Sequence, residues 1–175
     1  MRIENEIKLD FSDVLIRPKR STLSSRKEVD LTRNYTFRHS KLNWSGVPIM
    51  AANMDGVGTF QMAKTLQEHK LFTCMVKSYD VSAWVENSVL LSKDNIAAST
   101  GISNQDFNKL KEVLTQCSTI KFICIDVANG YSEYFGDFIE RVRTEFPDKT
   151  IIAGNVVTAD MTQEDRKSTR LNSSH

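Results

Sequence analysis

Asp126 closes the apolar run Phe122-Ile123-Cys124-Ile125, and Lys77 closes the run Phe72-Thr73-Cys74-Met75-Val76. A carboxylate at the end of so apolar a run needs a partner or a ligand, because a lone buried charge is strongly disfavoured. Lys77, just before Ser78-Tyr79-Asp80, also reads as a plain surface lysine. Other polar residues follow apolar runs in the same way: Asn53 and Asp55, Ser99 and Thr100, Asn129, then Asn155 and Thr158. Gly56, Gly58, Gly101, Gly130 and Gly154 fall among them, where backbone must bend or approach a ligand closely. Asp55 and Asn129 read equally well as turn formers or helix caps. Cys124 lies inside its run, so inert packing is its expected role.

A second chemistry gathers toward the N-terminus. Residues 1–46 carry ten Lys/Arg against six Asp/Glu, much of the surplus in Arg17-Pro18-Lys19-Arg20 and Arg26-Lys27. Ser21, Thr22, Ser24 and Ser25 stand between these cations. Hydroxyls beside arginine make a contact surface for phosphate, while a solvated basic arm is the plainer alternative.

The elements that must position these residues recur with a regular beat. Five apolar runs, at residues 47–50, 72–76, 96–98, 122–125 and 150–153, start about 25 residues apart, with a helical pattern in each gap. Helices are expected from Phe60 behind Thr59, from Val81 behind Asp80, and from the Ser103/Asp106 capping box. The fourth is expected over Tyr131 to Phe146, stopped by Pro147-Asp148. The runs are apolar throughout rather than alternating, as in a parallel sheet covered on both faces. Equal spacing of this kind points to a (β/α)8 TIM barrel, which needs roughly 250 residues and places its site at the carboxyl ends of the strands. About five of the eight strands are present, so the expected fold is an incomplete barrel.

Composition adds limits. The chain has 175 residues, 40% apolar and 26% charged, the makeup of one ordinary globular domain. No run is long enough to span a bilayer, and Met1 to Asp10 is too polar for a signal peptide, so a cytoplasmic location is the default. Cys74, Cys117 and Cys124 show no Cys-x-x-Cys spacing, and His39, His69 and His175 are scattered; neither a zinc site nor a disulfide framework is suggested. A net charge of +1 names no partner, and neither nucleic acid nor membrane is expected. From Asp165 to His175 only Leu171 is apolar and no periodicity remains. This stretch resembles a one-frame translation of a sequencing-library adapter, and is expected to be non-native. Without it the balance is 20 Lys/Arg against 21 Asp/Glu. The expected organisation is a basic arm (1–46), five β/α units (47–158), the start of a further helix (159–164) and the tail (165–175).

Several segments carry a family resemblance. Leu9-Asp10-Phe11-Ser12-Asp13-Val14-Leu15-Ile16-Arg17-Pro18-Lys19-Arg20-Ser21-Thr22 and Val47-Pro48-Ile49-Met50-Ala51-Ala52-Asn53-Met54-Asp55 closely resemble the GMP reductases. So do Ile125-Asp126-Val127-Ala128-Asn129-Gly130-Tyr131-Ser132-Glu133 and Ala153-Gly154-Asn155-Val156-Val157-Thr158. The resemblance covers residues 1 to about 161. It implies an NADPH-dependent oxidoreductase that converts GMP to IMP and ammonia, through a cysteine thiolate and hydride transfer to the purine. It further implies that Ser25 and Arg26 contact the adenosine end of the cofactor, and that Lys77 lies near the cofactor and the reacting centre. Asp126, Val127 and Ala128 would hold the nicotinamide ribose, with Lys77 and Asp126 as candidates for assisting catalysis.

Gly56 stands where the family usually has threonine, while Val76, Ser78 and Tyr134 replace common histidines. The nucleophilic cysteine loop and the monovalent cation (K+) site of the family follow a sixth strand, and no cysteine here matches that position. This chain alone is therefore expected to be inactive, while the parent enzyme is expected to be a homotetramer. Two alternatives accompany this reading: an IMP dehydrogenase-like oxidoreductase, and a non-catalytic half-barrel that binds a nucleotide.

Overall fold

The computed structural model describes Asn5, Ile7 and residues 9–168, the last five through their backbone alone. The chain divides after Asp30 into two units. The first contains two single 3-10 turns, Phe11–Asp13 and Arg26–Glu28. Asp10 and Asp13 close a capping box around the first: Phe11 N donates to Asp10 Oδ1 at 2.7 Å, and Asp10 N to Asp13 Oδ2 at 2.9 Å. Every residue from Leu9 to Asp30 is exposed.

The second unit begins with an antiparallel hairpin, β1 (Arg33–Thr36) and β2 (Asn43–Gly46). The expected organisation puts these residues in the basic arm (1–46). Only Trp44 and Gly46 of the eight strand residues are buried, so the hairpin has almost no apolar alternation to announce it. Its core contacts are aromatic: Phe37 packs edge-on against Phe122, and Trp44 against Phe72.

Five parallel strands follow, β3 (Met50–Ala51), β4 (Phe72–Cys74), β5 (Ile96–Thr100), β6 (Phe122–Ile125) and β7 (Thr150–Ala153), ordered β3-β4-β5-β6-β7. All five expected strands are present in one unclosed sheet. The first is displaced toward Ala51, because Pro48 has no N–H to donate and Ile49 N turns back to Val47 O at 2.8 Å. Between them lie α1 (Phe60–Glu68), α2 (Val81–Ser88), α3 (Asn104–Gln116) and α4 (Glu133–Glu145), with α5 (Ala159–Ser168) after the last strand. Thr59, Asp80 and Ser103 cap the first three as expected, and Asp106 completes the box with Ser103.

The fourth helix starts later than its periodicity suggested. Ser132 is the cap and Tyr131 lies outside, held by other bonds described below. Its end is locked by Arg143, which is 3% exposed and donates to the carbonyls of Phe146, Pro147 and Lys149. Helix α5 extends over residues 165–168 of the adapter-like tail; residues 169–175 of that tail lie outside the described residues.

Strand periodicity divides the core. Ile123 and Ile125 face the helices, packing among Phe107, Leu110, Phe135 and Ile139, while Phe122 and Cys124 face the other side with Trp44, Phe72 and Ala97. Full burial of one such large side chain contributes about 1.5–3 kcal/mol. The continuous apolar runs are thus explained: each strand buries residues on both faces.

Candidate active-site rim

The carboxyl ends of β4 and β6 bring Lys77 and Asp126 together, with Nζ 3.0 Å from Oδ2. Backbone bonds set both positions. Asp126 N donates to Thr100 O at 2.8 Å, extending the β5–β6 ladder by one residue. Met75 N donates to Ala97 O and Val76 N to Gly58 O, and Lys109 Nζ bonds Lys77 O at 2.8 Å. Gly58 is required there: a Cβ would lie 2.4 Å from Cys74 O and 2.8 Å from Val76 N. The two side chains remain 48% and 35% exposed, so solvent screens the pair and it contributes about 0–1 kcal/mol to stability. Its consequence is chemical: a carboxylate held in place beside an ammonium, both open to a ligand.

Asp126 borders a cavity of about 280 Å³ lined also by Asn53, Cys124, Val127, Gly154 and Asn155. The segment behind it is tied to the β7 loop. Asn155 adopts φ 68° and donates from Nδ2 to Val127 O at 3.1 Å and Ala128 O at 2.7 Å. Tyr131 Oη accepts from Val157 N at 2.8 Å and Thr158 N at 3.1 Å. Two loops from neighbouring strands are therefore bound to each other before any ligand arrives. Cys124 forms part of the cavity wall. The neighbouring Cys74 side chain lowers its pKa, opposed by burial and by the Asp126 charge.

The expected site residues fall into two groups. Lys77 and Asp126 meet directly, with Val127 on the same cavity and Ala128 fixed by Asn155. Ser25 and Arg26 belong to the N-terminal unit, where Ser25 Oγ accepts from Lys27 N and Arg26 opens an exposed 3-10 turn. Asn129 is a turn former whose Oδ1 accepts from Tyr131 N at 3.0 Å, and Thr158 caps α5 through Met161 N. Gly56 has φ 76°, a conformation that strains a β-branched residue such as threonine. Val76 is buried, whereas Ser78 and Tyr134 are exposed.

Sequence reasoning missed Lys109, and the parts that Asn155 and Tyr131 play in shaping this rim. Lys109 lies in α3 outside its apolar stripe. Asn155 and Tyr131 act through a positive φ and a reach across loops, neither of which has a periodic signal.

Residues 8–167 match the IMP dehydrogenase / GMP reductase domain. A GMP reductase of Vibrio parahaemolyticus is 54% identical over 167 residues, covering 94% of this chain and 48% of that protein. A GMP reductase of Caenorhabditis elegans is 55% identical over 166 residues, covering 93% and 46%. The crystal structure of inosine 5′ monophosphate dehydrogenase from Legionella pneumophila superposes with a TM-score of 0.72 at 23% identity, over 90% of this chain and 47% of that one. The chain spans about half the length of the curated relatives it matches.

Proposed function

The chain belongs to the IMP dehydrogenase / GMP reductase family, and from that premise we propose that it supplies the cofactor side of an enzyme that reduces GMP to IMP and ammonia. The observation that carries this reading is the Lys77–Asp126 ion pair at the strand ends, with Asp126 lining the cavity there. The segment that carries Asp126, Ile125 to Glu133, is also among those that closely resemble the GMP reductases.

The residues present fit NADPH by their chemistry. Asp126 offers a carboxylate to ribose hydroxyls, Val127 lines the same cavity, and Ala128 belongs to the segment that Asn155 holds. Ser25 and Arg26 suit the 2′-phosphate: an exposed guanidinium beside a hydroxyl binds such a group with charge-assisted bonds. When bound, NADPH supplies a hydride. Lys77 holds the Asp126 side chain aligned at the cavity through their ion pair. Asn155 fixes the loop so that little ordering remains to be done on binding.

The same reading assigns a K+ site and the nucleophilic cysteine to segments beyond those described, and places a homotetramer in the cytoplasm, in purine nucleotide interconversion. The test follows the absorbance of NADPH in the full-length gene product. Oxidation that requires GMP and yields one ammonia per NADPH supports the proposal. NAD reduction dependent on IMP would replace it with the dehydrogenase.

A further inference from the structure

The amino end of the sheet, opposite the rim, holds a second cavity, of about 90 Å³. Arg38, His39 and Ser40 of the β1–β2 turn line it, with Arg143 of α4 and Thr150, the first residue of β7. None of the residues assigned to the proposed reaction is in its lining, which holds three basic side chains, two hydroxyls and no carboxylate.

Arg143 is the buried cation of this cavity. Its Nη1 donates to the carbonyls of Phe146, Pro147 and Lys149 at 3.4, 3.1 and 2.7 Å. Carbonyls orient the guanidinium and leave its charge in place. Burial disfavours that charge and lowers the pKa, and Asp148 offsets this only in part. Asp148 itself is 71% exposed and paired with Lys149 at 3.2 Å. An anion entering the cavity would offset the rest.

The hydroxyls supply a donor. Ser40 Oγ and Thr150 Oγ1 are 2.6 Å apart, and Leu42 N donates to Ser40 Oγ at 3.3 Å. Two hydroxyls carry two protons and share one hydrogen bond. Whichever of them donates, the proton of the other is left for a further acceptor.

The surroundings are positive as well. A lysine stands one to three residues before each of β4 to β7: Lys70, Lys93, Lys121 and Lys149. The loops at this end, residues 37–42, 69–71, 89–95, 117–121 and 146–149, carry six Lys/Arg against two Asp, in a chain of net charge +1. Charge of one sign around a concave site gathers ions of the other.

We propose that this cavity binds a small tetrahedral oxyanion of the phosphate class, either the free ion or the phosphoryl group of a small ester. Guanidinium, imidazole and hydroxyl donors around a cavity without a carboxylate are the set such an anion selects. The volume is that of a few waters, so it takes one phosphoryl group and excludes a whole nucleotide. Strand β7 runs from this cavity toward Gly154 and Asn155 at the rim, which keeps the two sites one strand length apart.

The experiment is equilibrium dialysis of the 175-residue chain against radiolabelled inorganic phosphate. One phosphate per chain is expected, displaced by sulfate and retained against chloride at the same ionic strength. Affinity should fall by about tenfold or more in Arg38→Ala, an exposed turn residue, and in Thr150→Val, which keeps the side-chain shape and removes the hydroxyl. Arg26→Ala and Asp126→Asn should leave it unchanged, since neither residue lines the cavity. Competition by glycerol phosphate would add an ester to the ligands, and its failure to compete would restrict them to inorganic phosphate; either supports the site. Should Thr150→Val misfold by circular dichroism, Arg38→Ala decides. Binding that survives Arg38→Ala, is lost in Arg26→Ala or yields to chloride would overturn the proposal.

Discussion

Lys77 and Asp126 form an ion pair across β5, one at the end of β4 and the other at the end of β6. Their alignment depends on backbone bonds that each strand makes to β5: Met75 N to Ala97 O on one side, and Asp126 N to Thr100 O on the other. The sheet register thus sets the 3.0 Å separation, and the charges add little to the sheet. Structure and function separate cleanly at this pair.

Asp126→Asn tests that separation in the full-length enzyme. The pair is partly exposed, so the loss should cost no more than about 1 kcal/mol, a shift of a few degrees in Tm. Turnover should fall about a hundredfold, the scale of a lost acid–base or charge-positioning group. Lys77→Ala should give a similar loss, and the double variant less than the product of the two. A Tm collapse with proportional loss of activity would make the pair structural instead.

Arg26→Ala bears on cofactor choice. Arg26 is exposed in a 3-10 turn capped by Ser25, so its removal should leave stability unchanged. A hydrogen bond to a charged group contributes about 1.5–3 kcal/mol, which predicts a loss of about tenfold to over a hundredfold in NADPH affinity. NADH, which lacks the 2′-phosphate, should be affected little. Equal loss for both cofactors, measured as Kd by fluorescence titration, would remove Arg26 from the phosphate site.

Asn155 combines a left-handed backbone with two side-chain bonds, so two variants should part. Asn155→Ala keeps the strain and loses both bonds, whereas Asn155→Gly loses the bonds and relieves the backbone. The glycine variant should be the more stable by about 1 kcal/mol. Both should loosen the Val127–Ala128 loop, which hydrogen exchange would report as lost protection at Val157 and Thr158. Unchanged exchange would show that Tyr131 alone holds the two loops together.

Acid sensitivity should trace in part to Asp80. The Ala83 N–H and the Ser82 hydroxyl hold its carboxyl below the ordinary carboxylate range. A depressed folded pKa contributes stability that is present above the unfolded pKa of about 3.9 and is lost as pH falls through the folded value. Asp80→Asn keeps a cap and removes the titration. Unfolding midpoints between pH 5 and pH 2 should therefore fall less steeply in the variant than in the native chain. Parallel curves would assign the acid limb to other groups.

Legibility followed periodicity. The Ser103/Asp106 box and the stripe of Phe107, Leu110 and Leu114 announced α3, because a cap and a 3.6-residue period are local signals. The apolar run ending at Asp126 announced a partnered carboxylate for the same reason. Which partner it takes was illegible, since that depends on the register that places β4 two strands from β6. The hairpin escaped because six of its eight strand residues are exposed, and the contact of Cys74 with Met50 escaped because it is lateral across the sheet.

The behaviour of the sheet edges gives the last prediction. Among the described residues β3 and β7 each pair on one side alone, and Ile49, Met50 and Met54 near the first edge are more than half exposed. Unpaired parallel edges beside apolar side chains invite pairing with another chain. The 175-residue chain should therefore self-associate with rising concentration and melt over a broad, probe-dependent range. Sedimentation velocity together with far- and near-UV circular dichroism would measure both. A monomer with one sharp transition, the same by both probes, would mean that the hairpin and helices stabilise the open sheet unaided, and would favour the non-catalytic nucleotide-binding half-barrel.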